Sequence, residues 1–245
     1  MSKFFVSKNQ ITNKHAVIKG ADVNHLIKVL RANIGDSITI CDGEGTDYEA
    51  TIASFNRDEV HVDLLRSAAC LNEPKTKVTL YQGLPKQGKM EWIIEKCVEM
   101  GIDAIVPVQM ERSVVQLSAE QAVKKLERWQ KTAEAAAKQC SRGKIPEVHM
   151  PIRLYDITKD ITPEFLLLLY EGECSQSIKQ ALTGNKAGSV GIFIGPEGGF
   201  APEEVVHLEA LGAQSVTLGP RILRTETAGL VALSVLLYEW GDLTC

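Results

Sequence analysis

"IFIGPEGGFAPEE", residues 192–204, decides how this chain is read. An apolar run enters a glycine-rich turn containing Gly195, Gly198 and Gly199. It leaves at a helix start, with Pro202 at the first helical position and Glu203 and Glu204 in the first turn, where the helix dipole favours negative charge. The layout is that of a nucleotide-binding loop, yet it is neither G-x-G-x-x-G nor the G-x-x-x-x-G-K-[ST] of a phosphate loop. Glu197, at its centre, sets a carboxylate where a phosphate would sit.

A ligand with adenosine but no phosphate, and with positive charge of its own, tolerates Glu197. S-adenosylmethionine, with its sulfonium and ammonium groups, is one such ligand. A tight strand-to-helix turn without a ligand is the alternative. A second stretch narrows the choice. "LGPRILRTETAGL", residues 218–230, again follows a strand and places Arg221, Arg224, Thr225, Glu226 and Thr227 just before an apolar helix. Thr225 or Thr227 is expected to cap that helix. Two arginines and a glutamate at the end of a strand also suit a binding site, because open α/β sheets take ligands at the carboxyl ends of their strands.

Working outward, strands alternate with helices from residue 77 on. "KVTLYQG" (77–83) precedes a helix expected from about Gln87 to Met100, with Met90, Ile93, Ile94, Cys97 and Met100 as its apolar stripe. "DAIVPV", a long helix from about Ser118, "FLLLLYE", a short helix after Cys174, "SVGIFIG", "PEEVVHLEALG" and "QSVTLG" follow. This alternation predicts a parallel sheet covered on both faces. The last helix, "AGLVALSVLLYEW", is apolar nearly all round and is expected to be buried on most sides, in the core or against a second subunit.

The first seventy residues follow a different pattern. "KFFVS", "HAVIKG", "SITICDG", "DYEATIASF" and "EVHVDLL" alternate with period two, which predicts a small, mostly antiparallel sheet or barrel. One helix, "ADVNHLIKVLRA", interrupts it, with Asp22 as the expected N-cap and Leu26, Val29 and Leu30 on its apolar face. "SAACLNEPKTK" reads as the linker, so the expected domains are 1–70 and 71–245.

Composition bounds the function classes. The net charge of −4 hides an asymmetry: residues 71–145 carry 13 basic against 9 acidic side chains, and residues 146–245 carry 6 against 13. A basic middle of +4 beside an acidic end of −7 fits a chain that offers one face to a polyanion. With no long apolar run, the chain is expected to be soluble and cytoplasmic. The six cysteines, Cys41, Cys70, Cys97, Cys140, Cys174 and Cys245, form no C-x-x-C pair, so reduced thiols and no metal are expected.

Within the basic middle, Lys124, Arg128, Lys131, Lys138 and Arg142 share a narrow arc if a helix runs through residue 142, opposite Ala122, Leu126, Trp129, Ala133, Ala136 and Cys140. Such a stripe is either a solvated face or a track for the phosphates of RNA or DNA.

At "IGPEGGF" and "LGPRILRTETA" the chain resembles the RsmE family of ribosomal RNA uridine-N3 methyltransferases in the SPOUT superfamily. "HLIKVLR" and "GDSITICDGEG" resemble its PUA-like N-terminal domain, while "EWIIEKCVEMGIDAIVPV" and "KQCSRGKIPEV" fit its middle. The resemblance implies an α/β domain with a parallel sheet and a trefoil knot behind a small PUA-like β-barrel domain. It also implies a homodimer, an S-adenosylmethionine cofactor, and 16S rRNA in the 30S ribosomal subunit as substrate. The implied cofactor contacts are Leu168, Leu169, Tyr170 and Gly172; Ile194, Gly195, Pro196, Glu197, Gly198 and Gly199; and Leu218, Gly219, Ile222, Leu223, Thr225, Thr227 and Ala228. Arg224 is expected to stabilise charge on the uracil oxygens and Glu226 to accept the N3 proton, although Glu226 equally suits an ion pair with Arg221 or Arg224. Arg31 and Arg142 are expected on the RNA surface with the basic helix.

Overall fold

The computed structural model describes residues 3–86, 88–161, 163–172 and 175–243; Gln87, Cys174 and Cys245 lie outside the described residues. The chain forms two compact units. One runs to Glu73 and takes in Ala137–Ile145, and the other comprises Pro74–Ala136 and the chain from Pro146 on.

The first unit is a curled sheet of five strands, β1 (Lys3–Phe5), β2 (His15–Lys19), β3 (Ser37–Cys41), β4 (Thr46–Phe55) and β5 (Glu59–Ala69), in the order β1-β3-β4-β5-β2. All its pairings are antiparallel except β1 with β3. The period-two pattern sends Ala16, Ile18, Ile38, Ile40, Ala50, Ile52, Val60 and Val62 into one core, where Phe4, Val23 and Leu26 join them. Register shifts at Glu49/Ala50 and Ile52/Ser54 bend β4 against β5, which is how a short sheet curls over its own core.

Three expectations need correction here. Helix α1 (Ala21–Asn24) continues as a π-helical turn over His25–Val29, whose larger number of residues per turn carries side chains off the 3.6-residue stripe. Leu26 is buried, but Val29 and Leu30 are 66% and 41% exposed. Gly20, not Asp22, precedes the first turn, and the Asp22 carboxylate accepts from Lys138 Nζ at 2.9 Å. Ser67–Ala69 are strand rather than linker, because the start of the ten-residue β4 offers them backbone partners from Thr46 to Tyr48.

The second unit holds seven strands: β6 (Lys77–Gly83), β7 (Ala104–Gln109), β8 (Glu147–Val148), β9 (Ile152–Arg153), β10 (Phe165–Leu169), β11 (Ser189–Ile194) and β12 (Gln214–Val216). Every pairing is parallel, in the order β12-β10-β11-β6-β7, with β8 and β9 both on β7. This is the expected α/β sheet. On one face Tyr81 stacks on Phe193, with centroids 4.5 Å apart, within a core that includes Leu166, Leu168, Val106 and Val108. Phe200, Val205 and Leu208 close it from the segment containing α5 (Pro202–Ala210). Glu204 caps that helix, accepting from Ala201 N at 2.8 Å and from Glu111 N at 2.8 Å.

The other face carries α2 (Lys89–Met100) and α6 (Thr225–Glu239), which pack on each other, with α4 (Ile178–Leu182) beside α6. Met90, Ile93, Ile94 and Cys97 are buried as the stripe requires, and burial pushes the Cys97 thiol up to about 12, so it is a packing residue. In α6, Gly229, Ala232, Leu233, Leu236 and Leu237 are buried, whereas Leu230, Val231 and Val235 are only half-buried and Tyr238 is 74% exposed. One side of this apolar helix therefore remains open in the single chain. No helix among the described residues is long and apolar enough to cross a membrane.

Helix α3 (Ala119–Gln139) is shorter than the basic stripe assumed. Ser141 takes a left-handed φ of 59°, so Arg142 leaves the helix axis and is buried. Its guanidinium donates to Glu73 at 2.7 and 3.3 Å, and Glu73 also accepts from the backbone of Gly143 and Lys144. Burial works to raise the Glu73 carboxyl, but Arg142 and these N–H donors outweigh it and hold it below the usual carboxylate range.

Candidate functional site

Because the strands of the second unit are parallel, their carboxyl ends share one edge of the sheet. There the segments after β10, β11 and β12 surround a cleft of about 820 Å³, a size suited to a small-molecule ligand. Leu169, Tyr170 and Glu171 come from the first segment, Ile194–Glu197, Gly199 and Phe200 from the second, Val216–Thr225 and Ala228 from the third, and Lys89 from the start of α2.

Close contacts pin these segments to the sheet. A side chain at Gly83 would place its Cβ 2.6 Å from Pro196 N, so glycine lets the end of β6 touch the loop after β11. Thr225 Oγ1 donates to Gly195 O at 2.6 Å and accepts from Gln82 Nε2 at 2.8 Å, which ties the start of α6 to both strands. That hydroxyl does not cap α6: Arg224 stands at the cap position, and its carbonyl accepts from Thr227 N and Ala228 N. Gly199, with φ 69°, lies so close to Glu171 that a Cβ would come within 2.9 Å of Oε1.

The charge at the centre of the loop is balanced from within the chain. Lys89 Nζ lies 3.0 Å from Glu197 Oε1 and 3.0 Å from Glu226 Oε2, and Lys86 N donates to Glu197 at 3.0 Å. Glu226, and after it Glu197, holds the Lys89 ammonium above its ordinary range. Burial works to raise the Glu197 carboxyl, but its own N–H, that of Lys86 and the Lys89 ammonium bring it below the carboxylate range. For Glu226 burial also raises, and its own N–H, Lys89 and the nearby Arg224 charge outweigh it. The ion-pair partner of Glu226 is thus Lys89 rather than Arg221 or Arg224. Glu197 faces Lys89, and the acidic side chain lining the cleft beside it is Glu171.

Of the residues singled out in the sequence, Leu169, Tyr170, Ile194, Gly195, Pro196, Glu197, Gly199, Leu218, Gly219, Ile222, Leu223, Arg224, Thr225 and Ala228 line this one cleft. Leu168 points instead into the core with Phe193. Gly198 backs onto Arg112, which donates to its carbonyl at 3.2 Å. Gly172, Thr227 and Glu226 stand outside the lining. Sequence reasoning missed Lys89, Phe200, Val216 and Thr217, while Glu171, Pro220 and Arg221 fall within the stretches it marked. A lysine at the start of a helix over a hundred residues away in sequence carries no local signal.

The donor set fits S-adenosylmethionine. Ile222, 84% exposed, and the apolar Leu218 and Leu223 offer surface for an adenine, while Glu171 offers a negative group for a sulfonium or ammonium. On α3, Lys124, Arg128 and Lys131 are exposed, opposite the buried Ala122, Trp129, Ala133 and Ala136. Arg128 Nε is 3.0 Å from Glu91, and Lys138 is paired with Asp22. Arg31 is exposed, with a left-handed φ of 50°.

Residues 72–237 match the family model described as an RNA methyltransferase domain, and residues 18–65 match that of an RNA methyltransferase PUA domain. The chain is 36% identical to a ribosomal RNA small subunit methyltransferase E of Bacillus subtilis, over 98% of this chain and 97% of that one. It is 31% identical to its namesake in Mycobacterium bovis, over 97% and 92%. Among solved structures, the ribosomal RNA small subunit methyltransferase E of Neisseria gonorrhoeae bound to S-adenosyl methionine superimposes with a TM-score of 0.85 at 31% identity, covering all of both chains. A putative methyltransferase of Legionella pneumophila with bound SAM superimposes at 0.84 and 28% identity, over 96% of each.

Proposed function

This chain belongs to the RNA methyltransferase family that includes the ribosomal RNA small subunit methyltransferase E proteins, and from that premise we propose that it methylates N3 of one uridine in 16S rRNA, within the assembled 30S subunit. It is an S-adenosylmethionine-dependent rRNA methyltransferase. The observation that carries this reading is the convergence of the three strand-end segments on one cleft with apolar walls, free of a phosphate loop, beside an exposed arginine.

S-adenosylmethionine, when bound, supplies an electrophilic methyl group on its sulfonium. The residues of the chain supply position and charge. The loops after β10, β11 and β12 would hold the adenosine and the amino-acid end, and Glu171 would supply a negative group for the positive charge. Uracil N3 is a weakly acidic imide nitrogen, so its attack on the methyl group requires stabilisation of the charge that develops on O2 and O4. Arg224, exposed at the cleft wall, is assigned that task, and placement of N3 in line with the methyl group supplies much of the rate. Glu226 is assigned as acceptor of the N3 proton; its pairing with Lys89 keeps it ionised and makes it a weak base, so it would take the proton only as the methyl passes from sulfur, which keeps the S–C electron pair, to N3. Arg31, Lys124, Arg128, Lys131 and Lys138 are assigned to the RNA surface, and for Arg142 its burial favours a structural part. The half-open apolar side of α6 supports a homodimer, and the chain is assigned to the cytoplasm, where its substrate is.

The test is nucleoside mass spectrometry of unmethylated 30S subunits incubated with the protein and isotope-labelled S-adenosylmethionine. Labelled 3-methyluridine at one site is expected. A labelled ribose or guanine would keep the enzyme class and overturn the target base, and RNA binding without any label would leave a non-catalytic assembly factor.

A further inference from the structure

The second unit has another cavity, of about 520 Å³, lined by residues between β6 and α2, by Val115–Leu117 and by helix α3. It adjoins the cofactor cleft through one turn: Lys89 lines the cleft, while Lys86, Gly88 and Met90 line the second cavity. Its walls are apolar, from Leu84, Pro85 and Leu117, and four cations, Lys86, Lys124, Lys125 and Arg128, stand around it.

Two polar groups on the wall of this cavity lack hydrogen-bond partners, and one of them, Glu91, is ion-paired. Trp129 is 2% exposed, and its Nε1–H is buried with no hydrogen-bond partner. Both carboxylate oxygens of Glu91 are buried without a hydrogen bond as well. Arg128 Nε at 3.0 Å and Lys125 Nζ at 4.0 Å balance the Glu91 charge but do not satisfy its lone pairs. Buried donors and acceptors are normally paired, because leaving one unmade costs about 1–3 kcal/mol. A donor and an anionic acceptor that lack hydrogen bonds at the wall of one apolar cavity are what a ligand with the complementary edge would complete.

We propose that this cavity is a second nucleotide site of the RNA substrate, selective for a base that bears an exocyclic amino group. A carboxylate accepts from an amino group and from a ring N–H beside it, and the indole N–H donates to a carbonyl or ring nitrogen of the same base; guanine offers all three on one edge. Uracil, with two carbonyls flanking its single N–H, meets Glu91 with repulsion. The flat base lies between the apolar walls, and the lysines and Arg128 take its phosphate. The cavity thus holds a nucleotide other than the uridine being methylated and gives the enzyme sequence selectivity at that position. This inference rests on the RNA methyltransferase reading.

The experiment is a titration of the whole protein with GMP, CMP, AMP, UMP and inorganic phosphate, followed by the ¹⁵N indole resonance of Trp129, assigned with Trp129→Phe. Saturable movement with GMP, and at least about tenfold weaker binding of UMP, is expected. Glu91→Gln should erase that preference while leaving S-adenosylmethionine binding unchanged. Equal movement with UMP or with phosphate alone would reduce the cavity to an anion patch, and no movement with any nucleotide would overturn the proposal. The readout needs no methyl transfer, so absence of label in the methylation assay with a positive titration sinks the catalytic reading and leaves the cavity, and the reverse sinks the cavity alone.

Discussion

Lys89→Met removes the one ammonium placed between Glu197 and Glu226. Each ion pair, with side chains 18–30% exposed, contributes up to about 1 kcal/mol. The loss also leaves two carboxylates that both reached the same nitrogen at 3.0 Å and so stand at most about 6 Å apart. At an effective dielectric constant of about 20–40 their repulsion adds roughly 1–3 kcal/mol before relaxation and water entry reduce it. A net destabilisation of about 2 kcal/mol is expected near neutral pH, a fall in Tm of roughly 4–8 °C. The sign of the pH dependence follows from the shifts. Both carboxyls titrate below their unfolded values, so the stability they contribute is present above about pH 5 and is lost as pH falls through the folded values. The Lys89 ammonium is raised, so its share is complete below about pH 10 and is lost only as pH rises beyond that. The difference between wild type and variant should therefore be full at pH 7.5 and smaller at about pH 3.5, below the unfolded carboxylate values, vanishing only once pH has fallen through the lowered folded values and protonation removes both attraction and repulsion. Urea unfolding followed by tryptophan fluorescence at the two pH values measures it. An equal loss at both would show that Lys89 matters through packing of its stem, and no loss at pH 7.5 would refute the coupling.

Thr225→Val keeps the shape of the side chain but strands Gly195 O and one N–H of the Gln82 amide, whose Nε2 still donates to Gly83 O, and should cost about 2–4 kcal/mol and loosen S-adenosylmethionine binding; calorimetric titration beside a melting curve separates the two effects. Arg142→Ala leaves the half-buried Glu73 without its cation and should cost about 3 kcal/mol, with little change in the salt dependence of RNA binding; a shallower salt slope in a well-folded variant would instead make Arg142 a phosphate contact. Arg224→Ala should slow turnover about 100-fold while cofactor affinity changes little, as single-turnover methylation and equilibrium binding report, and an equal loss of both would move Arg224 into the cofactor pocket.

The sequence by itself determined the alternation of elements in the second unit and the two glycine loops, because buried parallel strands read as apolar runs and the turns between them need glycine, proline and helix-starting residues. It also determined the period-two core of the first unit. What it could not determine depended on partners distant along the chain. The apolar stripe of α1 dissolved in a π-helical turn over His25–Val29, which local spacing does not signal. Arg142 had the spacing of the basic stripe, but a left-handed turn at Ser141 and the carboxylate of Glu73 drew it inward. Glu197 looked like a free charge that selects its ligand, and tertiary structure instead paired it with Lys89, 108 positions earlier in the chain. Local spacing fixes which face of an element a residue occupies; which charge stands opposite it is decided only when the parallel sheet brings the ends of β6, β11 and β12 to one edge.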